Sequence, residues 1–92
     1  MGDEGTMRIE YSRMASKALQ RMDKALRKRI RDAINGLTLT PPQGDIKPMR
    51  GKPDGYYRLR VGSYRVIYCY DHDGKMTIII IIDIGSRGDI YK

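Results

Sequence analysis

Three closely spaced arginines set the chemistry open to this chain. Residues 56 to 70 read Tyr-Tyr-Arg-Leu-Arg-Val-Gly-Ser-Tyr-Arg-Val-Ile-Tyr-Cys-Tyr, two alternating runs broken by Gly62-Ser63. A glycine followed by a small polar residue suits a tight hairpin turn whose first position takes a positive φ. The expected register sets Val61 opposite Tyr64, Arg60 opposite Arg65, Leu59 opposite Val66 and Arg58 opposite Ile67. Side chains alternate across a strand, so Arg58, Arg60 and Arg65 share one face. Tyr57, Leu59, Val61, Tyr64, Val66 and Tyr68 share the other. Like charges directly opposite one another destabilise a hairpin, and a sequence that keeps Arg60 against Arg65 uses the cluster to hold an anion. Guanidinium forks match phosphate oxygens bidentately and stay charged, which suits them to stabilising a pentacoordinate phosphorane.

Other residues extend that inventory. Arg87 can reach the cluster from the end of the last strand, and Tyr91 offers an ionisable hydroxyl. Lys47, Arg50 and Lys52 add positive charge just before the hairpin and are candidate RNA contacts. Together these groups fit metal-independent cleavage of RNA. In that reaction the 2′-hydroxyl attacks its own phosphate, so the protein must orient it, neutralise developing charge and protonate the leaving 5′-oxygen. Arginine is a poor general base, its pKa being above about 12. The single histidine, His72, lies in the turn-like run Asp71-His72-Asp73-Gly74 and reads as a solvated loop residue. With no second histidine or cysteine cluster, no zinc site is expected, and no cofactor.

Composition narrows the partners. Eighteen basic against eleven acidic side chains in 92 residues give a net charge of +7. Such a balance favours a polyanionic partner: nucleic acid, an anionic membrane surface or an acidic protein. Glu4 and Glu10 are the only glutamates, so carboxylate for acid–base chemistry is scarce. The lone Cys69 can form no internal disulfide, which fits a reducing cytoplasm. No apolar run reaches the roughly 18 residues of a membrane span.

The elements that must position the arginines follow from periodicity. Residues 1–6 are expected to be a disordered polar leader, with one domain over 7–92. Arg8 to Tyr11 is a short strand candidate. Ser12 can cap a helix reaching about Met22, with Met14, Ala18 and Met22 stacked and Ala15 and Leu19 widening the stripe. Asp23 can cap a second helix with an apolar face of Leu26, Ile30, Ala33, Ile34 and Leu37. Its other face carries Lys24, Arg27, Lys28, Arg29 and Arg31, read as a solvated face first and as phosphate or acidic-partner contacts second. Thr38 to Asp54 is loop-like, with four prolines and two glycines. Ile78 to Ile82, five consecutive isoleucines, reads as a strand buried on both faces and central in its sheet. The order β-α-α-β-β-β predicts an α+β fold: an antiparallel sheet of about four strands with an αα-hairpin on one face. The helices should cover the Tyr57, Leu59, Val66 and Tyr68 face and leave the arginine face open.

The run from Tyr57 to Tyr68 followed by Ile84-Gly85-Ser86-Arg87-Gly88-Asp89-Ile90-Tyr91 resembles the RelE/ParE superfamily of type II toxins, and is most similar to its RelE branch. The resemblance covers about Met7 to Lys92. It implies a ribosome-dependent mRNA endoribonuclease that cuts in the A site, inhibits translation and is silenced by a RelB-like antitoxin. It also implies catalytic roles for Arg58, Arg60, Arg65, Arg87 and Tyr91. Arg58 and Arg60 would position substrate, Arg65 and Arg87 would stabilise the transition state, and Tyr91 would transfer a proton or stack on a base. The first two positions are lysines in the best-known members, one of them the proposed base; arginine at both leaves the base unassigned. Ser86 stands where some relatives carry histidine. The alternatives are a ParE-like gyrase inhibitor, sharing the fold but acting by protein binding, and a non-catalytic RNA- or ribosome-binding module using the same basic face.

Overall fold

Ser12 is where the first strand becomes the first helix. Strand β1 (Met7–Tyr11) ends one residue before it and helix α1 (Arg13–Gln20) starts one residue after. Its extended backbone and short hydroxyl let Oγ accept the Ala15 N–H at 3.0 Å, satisfying one of the helix's orphan donors. The computed structural model describes residues 7–50 and 55–86, so the expected leader at 1–6 lies outside it. Asp23 repeats the device, its Oδ1 accepting the Leu26 N–H at 2.9 Å to start helix α2 (Lys24–Asn35). A short 3₁₀ turn (Gly36–Thr38) follows.

The two helices pack on a five-stranded sheet. After α2 come β2 (Asp45–Pro48), β3 (Tyr56–Val61), β4 (Tyr64–Asp73) and β5 (Met76–Ser86), with sheet order β1-β5-β4-β3-β2. The α+β class and the helix hairpin on one face are as expected from the sequence. Two details differ. The sheet is mixed, because β1 runs parallel to β5 while the other neighbours are antiparallel. A fifth strand, β2, also emerges from the segment that reads as loop. Its four residues pair along the outer edge of β3, Asp45 with Arg60 and Lys47 with Arg58.

The core lies between the helices and one sheet face. Ala15, Leu19, Ile30, Ile34 and Leu37 meet Leu59, Val66, Tyr68, Ile79, Ile81 and Ile84, all buried. Each fully buried large side chain contributes about 1.5–3 kcal/mol relative to exposure. Met14, expected in the α1 stripe, is exposed. The inward stripe is instead Ala15, Ala18, Leu19 and Met22, the i, i+3, i+4, i+7 set that leaves Met14 at its margin. Arg27 is not simply solvated. Its Nε and Nη2 donate to the Leu19 and Met22 carbonyls at 3.1 and 2.9 Å, tying α2 to the end of α1.

The central hairpin has the expected register, with Gly62 at φ +61° and Ser63 completing the turn. The second hairpin turns one residue later than the Asp-Gly pair suggests. Asp71, His72 and Asp73 all belong to β4, and Gly74 at φ +64° turns with Lys75. β5 is interior, flanked by β1 and β4. Ile78, Ile79 and Ile81 are buried, while Ile80 and Ile82 are half-buried.

Candidate nucleic-acid interface

The sheet face away from the helices is organised in rows set by strand register. One row is Lys47, Arg58, Ile67 and Asp83, taken from β2, β3, β4 and β5. The next is Asp45, Arg60, Arg65 and Gly85. Residues directly opposite each other on a shared face have Cβ atoms about 4.5–5.5 Å apart. Four cations from three strands therefore crowd a surface two rows deep. Two hollows open on it: one of about 270 Å³ lined by Lys47, Pro48, Met49, Arg50 and Arg58, and one of about 130 Å³ lined by Arg60, Gly62, Ser63, Tyr64 and Arg65.

Arg58 is the most constrained of these cations. Its Nε and Nη2 are shielded from solvent and have no hydrogen-bond partner among the described residues. Buried donors are nearly always satisfied, so two adjacent shielded donors on one guanidinium make Arg58 a natural partner for an anion. Nε and one Nη form the side-on edge of the guanidinium, which matches two oxygens of a phosphate or carboxylate. Arg60 is more exposed and its Nε lies 3.9 Å from Asp45 Oδ2. Arg65 is half-buried, directly across from Arg60. Asp83 closes the Arg58 row, with Oδ1 accepting the Ile84 N–H at 2.8 Å.

The structure thus brings Arg58, Arg60, Arg65, Lys47 and Arg50 together. Lys52, Arg87 and Tyr91 lie outside the described residues. His72 stands apart. Seven residue steps along extended β4 separate it from Arg65, roughly 24 Å at the usual rise. Its backbone N–H donates to Asp71 Oδ1, and it is exposed. Cys69 shares the open face, opposite Tyr56 and Ile80. Burial, reinforced by Asp71, pushes its thiol pKa up, which makes it a weak nucleophile.

Two residues of this face escape a reading of sequence alone, Asp45 and Asp83. The signal for Asp45 was faint: apolar Ile46 between charged Asp45 and Lys47, a three-residue alternation closed by Pro48. Arg29 on α2, read from the sequence as part of a charged helix face, brings its Nη2 within 3.0 Å of where a Cβ would stand on Gly62. That places a further guanidinium beside the hairpin turn.

Comparison with solved structures identifies the fold. The chain is similar to the RelE of an archaeal RelE–RelB complex from Pyrococcus horikoshii OT3, with TM-score 0.70, 32% identity and coverage of 91% of this chain and 98% of that one. It shares its fold with a YoeB/ParE toxin from Agrobacterium tumefaciens at TM-score 0.74 and 22% identity, over 88% and 99% of the two chains. This is the architecture of the RelE and ParE toxins. At the level of sequence, the family described as ParE toxin of type II toxin-antitoxin system, parDE, matches residues 9–91, and the chain belongs to that family, within the RelE/ParE superfamily. It is also 30% identical to Toxin RelE of Mycobacterium tuberculosis (strain ATCC 25618 / H37Rv) over 92 residues, all of this chain and 93% of that protein.

Proposed function

We propose that this toxin is a metal-independent endoribonuclease that cuts mRNA in the ribosomal A site and so inhibits translation in the cytoplasm. The observation that carries the reading is the pair of shielded donors on Arg58, without a partner among the described residues, set in a face that also presents Lys47, Arg60 and Arg65. A phosphodiester offers two oxygens to those donors, and the surrounding cations stabilise the charge that grows on the phosphorane. Arg58 and Arg60 hold the substrate phosphate. Arg65 and Arg87 stabilise the transition state, and Tyr91 transfers a proton or stacks on a base. Lys47, Arg50 and Lys52 contact the RNA backbone. Likeness to the P. horikoshii RelE, solved with RelB, supports a RelB-like antitoxin as the cognate partner. An acidic, amphipathic segment would suit this basic surface.

The test is incubation of purified protein with an mRNA, with and without translating ribosomes, followed by mapping of product ends. Cuts that require ribosomes and leave 2′,3′-cyclic phosphate and 5′-hydroxyl ends are the expected result. Intact RNA in both conditions would rule the reading out. One observation favours a second reading, inhibition of DNA gyrase by protein binding: the matching family is the toxin of parDE. Loss of gyrase supercoiling activity in the presence of the toxin, with RNA left intact, would establish it.

A further inference from the structure

An all-arginine site lacks a proton acceptor, and the edge strand β2 supplies one. Asp45 pairs in register with Arg60, two residues before Lys47, which pairs with Arg58. Alternation puts both side chains on the arginine face, about 7 Å apart along the strand. Asp45 Oδ2 lies 3.9 Å from Arg60 Nε, with both side chains about half exposed. At that separation the contact is a charge pairing and not a hydrogen bond. Among the described residues Arg60 is the sole ion-pair partner of Asp45, so its lone pairs stay open to a hydroxyl donor. Lys47 is exposed and lines the hollow beside Arg58. A carboxylate and an ammonium thus flank the place where Arg58 and Arg60 would hold a phosphate.

We infer that Asp45 and Lys47 are the acid–base pair of the cleavage proposed above, an assignment that rests on that reading. The 2′-hydroxyl gives its proton to the Asp45 carboxylate as the new 2′-O–P bond forms. The P–O5′ bond breaks with its electron pair on O5′, which takes a proton from the Lys47 ammonium. Water then carries the proton from Asp45 back to Lys47, and no net proton is consumed. Among the described residues, Arg60 on β3, Arg65 beyond it on β4 and Lys47 on the same strand are the charged groups facing Asp45. Tyr91 is left free to stack on a base.

The experiment uses the full chain with ribosomes and a message, reading single-turnover cleavage across pH, and separately measures affinity for an uncleavable 2′-O-methyl oligonucleotide. Asp45→Asn is expected to slow cleavage about 100-fold or more and to erase the acidic limb of the pH profile. Its affinity for the oligonucleotide should be equal or higher, because a negative charge leaves a basic face. Asp45→Glu should recover part of the rate, and Lys47→Met should remove the basic limb. A bystander carboxylate behaves oppositely: Asp45→Asn would then cleave at the wild-type rate or faster, and the inference would fall while the nuclease reading stood. A wild-type protein that cuts nothing with ribosomes present overturns both.

Discussion

Replacing Arg58 with methionine should make the protein more stable and leave it unable to bind its anion. Two guanidinium donors are shielded from water and have no partner among the described residues. Each buried unsatisfied group costs about 1–3 kcal/mol. Methionine keeps the unbranched stem out to about the position of Nε, and it removes the two shielded donors with their cost. The change also relieves like-charge crowding between Arg58 and Lys47, which stand opposite each other. Stem packing lost beside Ile67 offsets part of this, so a net gain of about 1–2 kcal/mol is expected, or roughly 4–16 °C in Tm for a domain of this size. Thermal unfolding followed by circular dichroism measures it. Titrating in sulfate supplies the second arm. An anion at 100 times its Kd stabilises a protein by about 2.7 kcal/mol, so the wild-type Tm should climb with sulfate by more than that of the Arg58→Met protein, which keeps only the general stabilisation sulfate gives any folded chain. A lower Tm for Arg58→Met without added anion would refute the reasoning, since it would mean the guanidinium earns more from packing than its orphaned donors cost.

Three further outcomes are expected. Ser12→Ala removes the cap to Ala15 and leaves the Ile82 carbonyl without its 2.6 Å donor; a loss of about 1–3 kcal/mol in chemical denaturation is expected, with Ser12→Thr recovering most of it. Gly62→Ala should cost about 1–2 kcal/mol because φ is +61°, and Gly62→Asn should cost less in the same assay, since asparagine tolerates that region. Burial, and then Tyr70, raise the Tyr68 hydroxyl above its ordinary value of 10.0, and burial raises Tyr70 too. The unfolded chain therefore releases these protons first as the pH climbs. Stability should be full below pH 10 and fall above it, with Tyr68→Phe flattening that fall in denaturation curves taken at increasing pH.

What could be read from the sequence was whatever local rules control. The β3–β4 register follows from Gly62-Ser63 and strict alternation, and every expected pair from Val61–Tyr64 to Arg58–Ile67 is present. Both helix starts follow from Ser12 and Asp23, whose side chains cap within three residues. β2 was hidden because its four residues, Asp45–Pro48, hold one strand-former, Ile46, between charged neighbours and end on a proline. Their pairing is supplied by the exposed edge of β3. The parallel pairing of β1 with β5 joins residues some 70 positions apart, Met7 with Thr77, and no local pattern encodes which edge a first strand will choose. The candidate site divides the same way. Its arginines declare themselves by alternation, whereas Asp45 enters it only through the tertiary placement of an edge strand.

The β-bulge in β5 connects the core to the arginine face. Along β4 the pairing runs Val66 with Ile84 and Ile67 with Asp83, then skips to Tyr68 with Ile81, so Ile82 is the extra residue. Without that insertion, strict alternation from Ile79 and Ile81 would send Asp83 into the core and Ile84 out to the open face. With it, Ile84 is buried beneath the helices and Asp83 ends the Arg58 row. The irregular residue is not wasted: its carbonyl accepts the Ser12 hydroxyl, while the Ser12 N–H donates to Ile81 at 2.9 Å. One extra isoleucine thus anchors the start of α1 and fixes which side of the sheet Asp83 faces. Shifts in that bulge should therefore be felt at both the helix cap and the charge balance around Arg58.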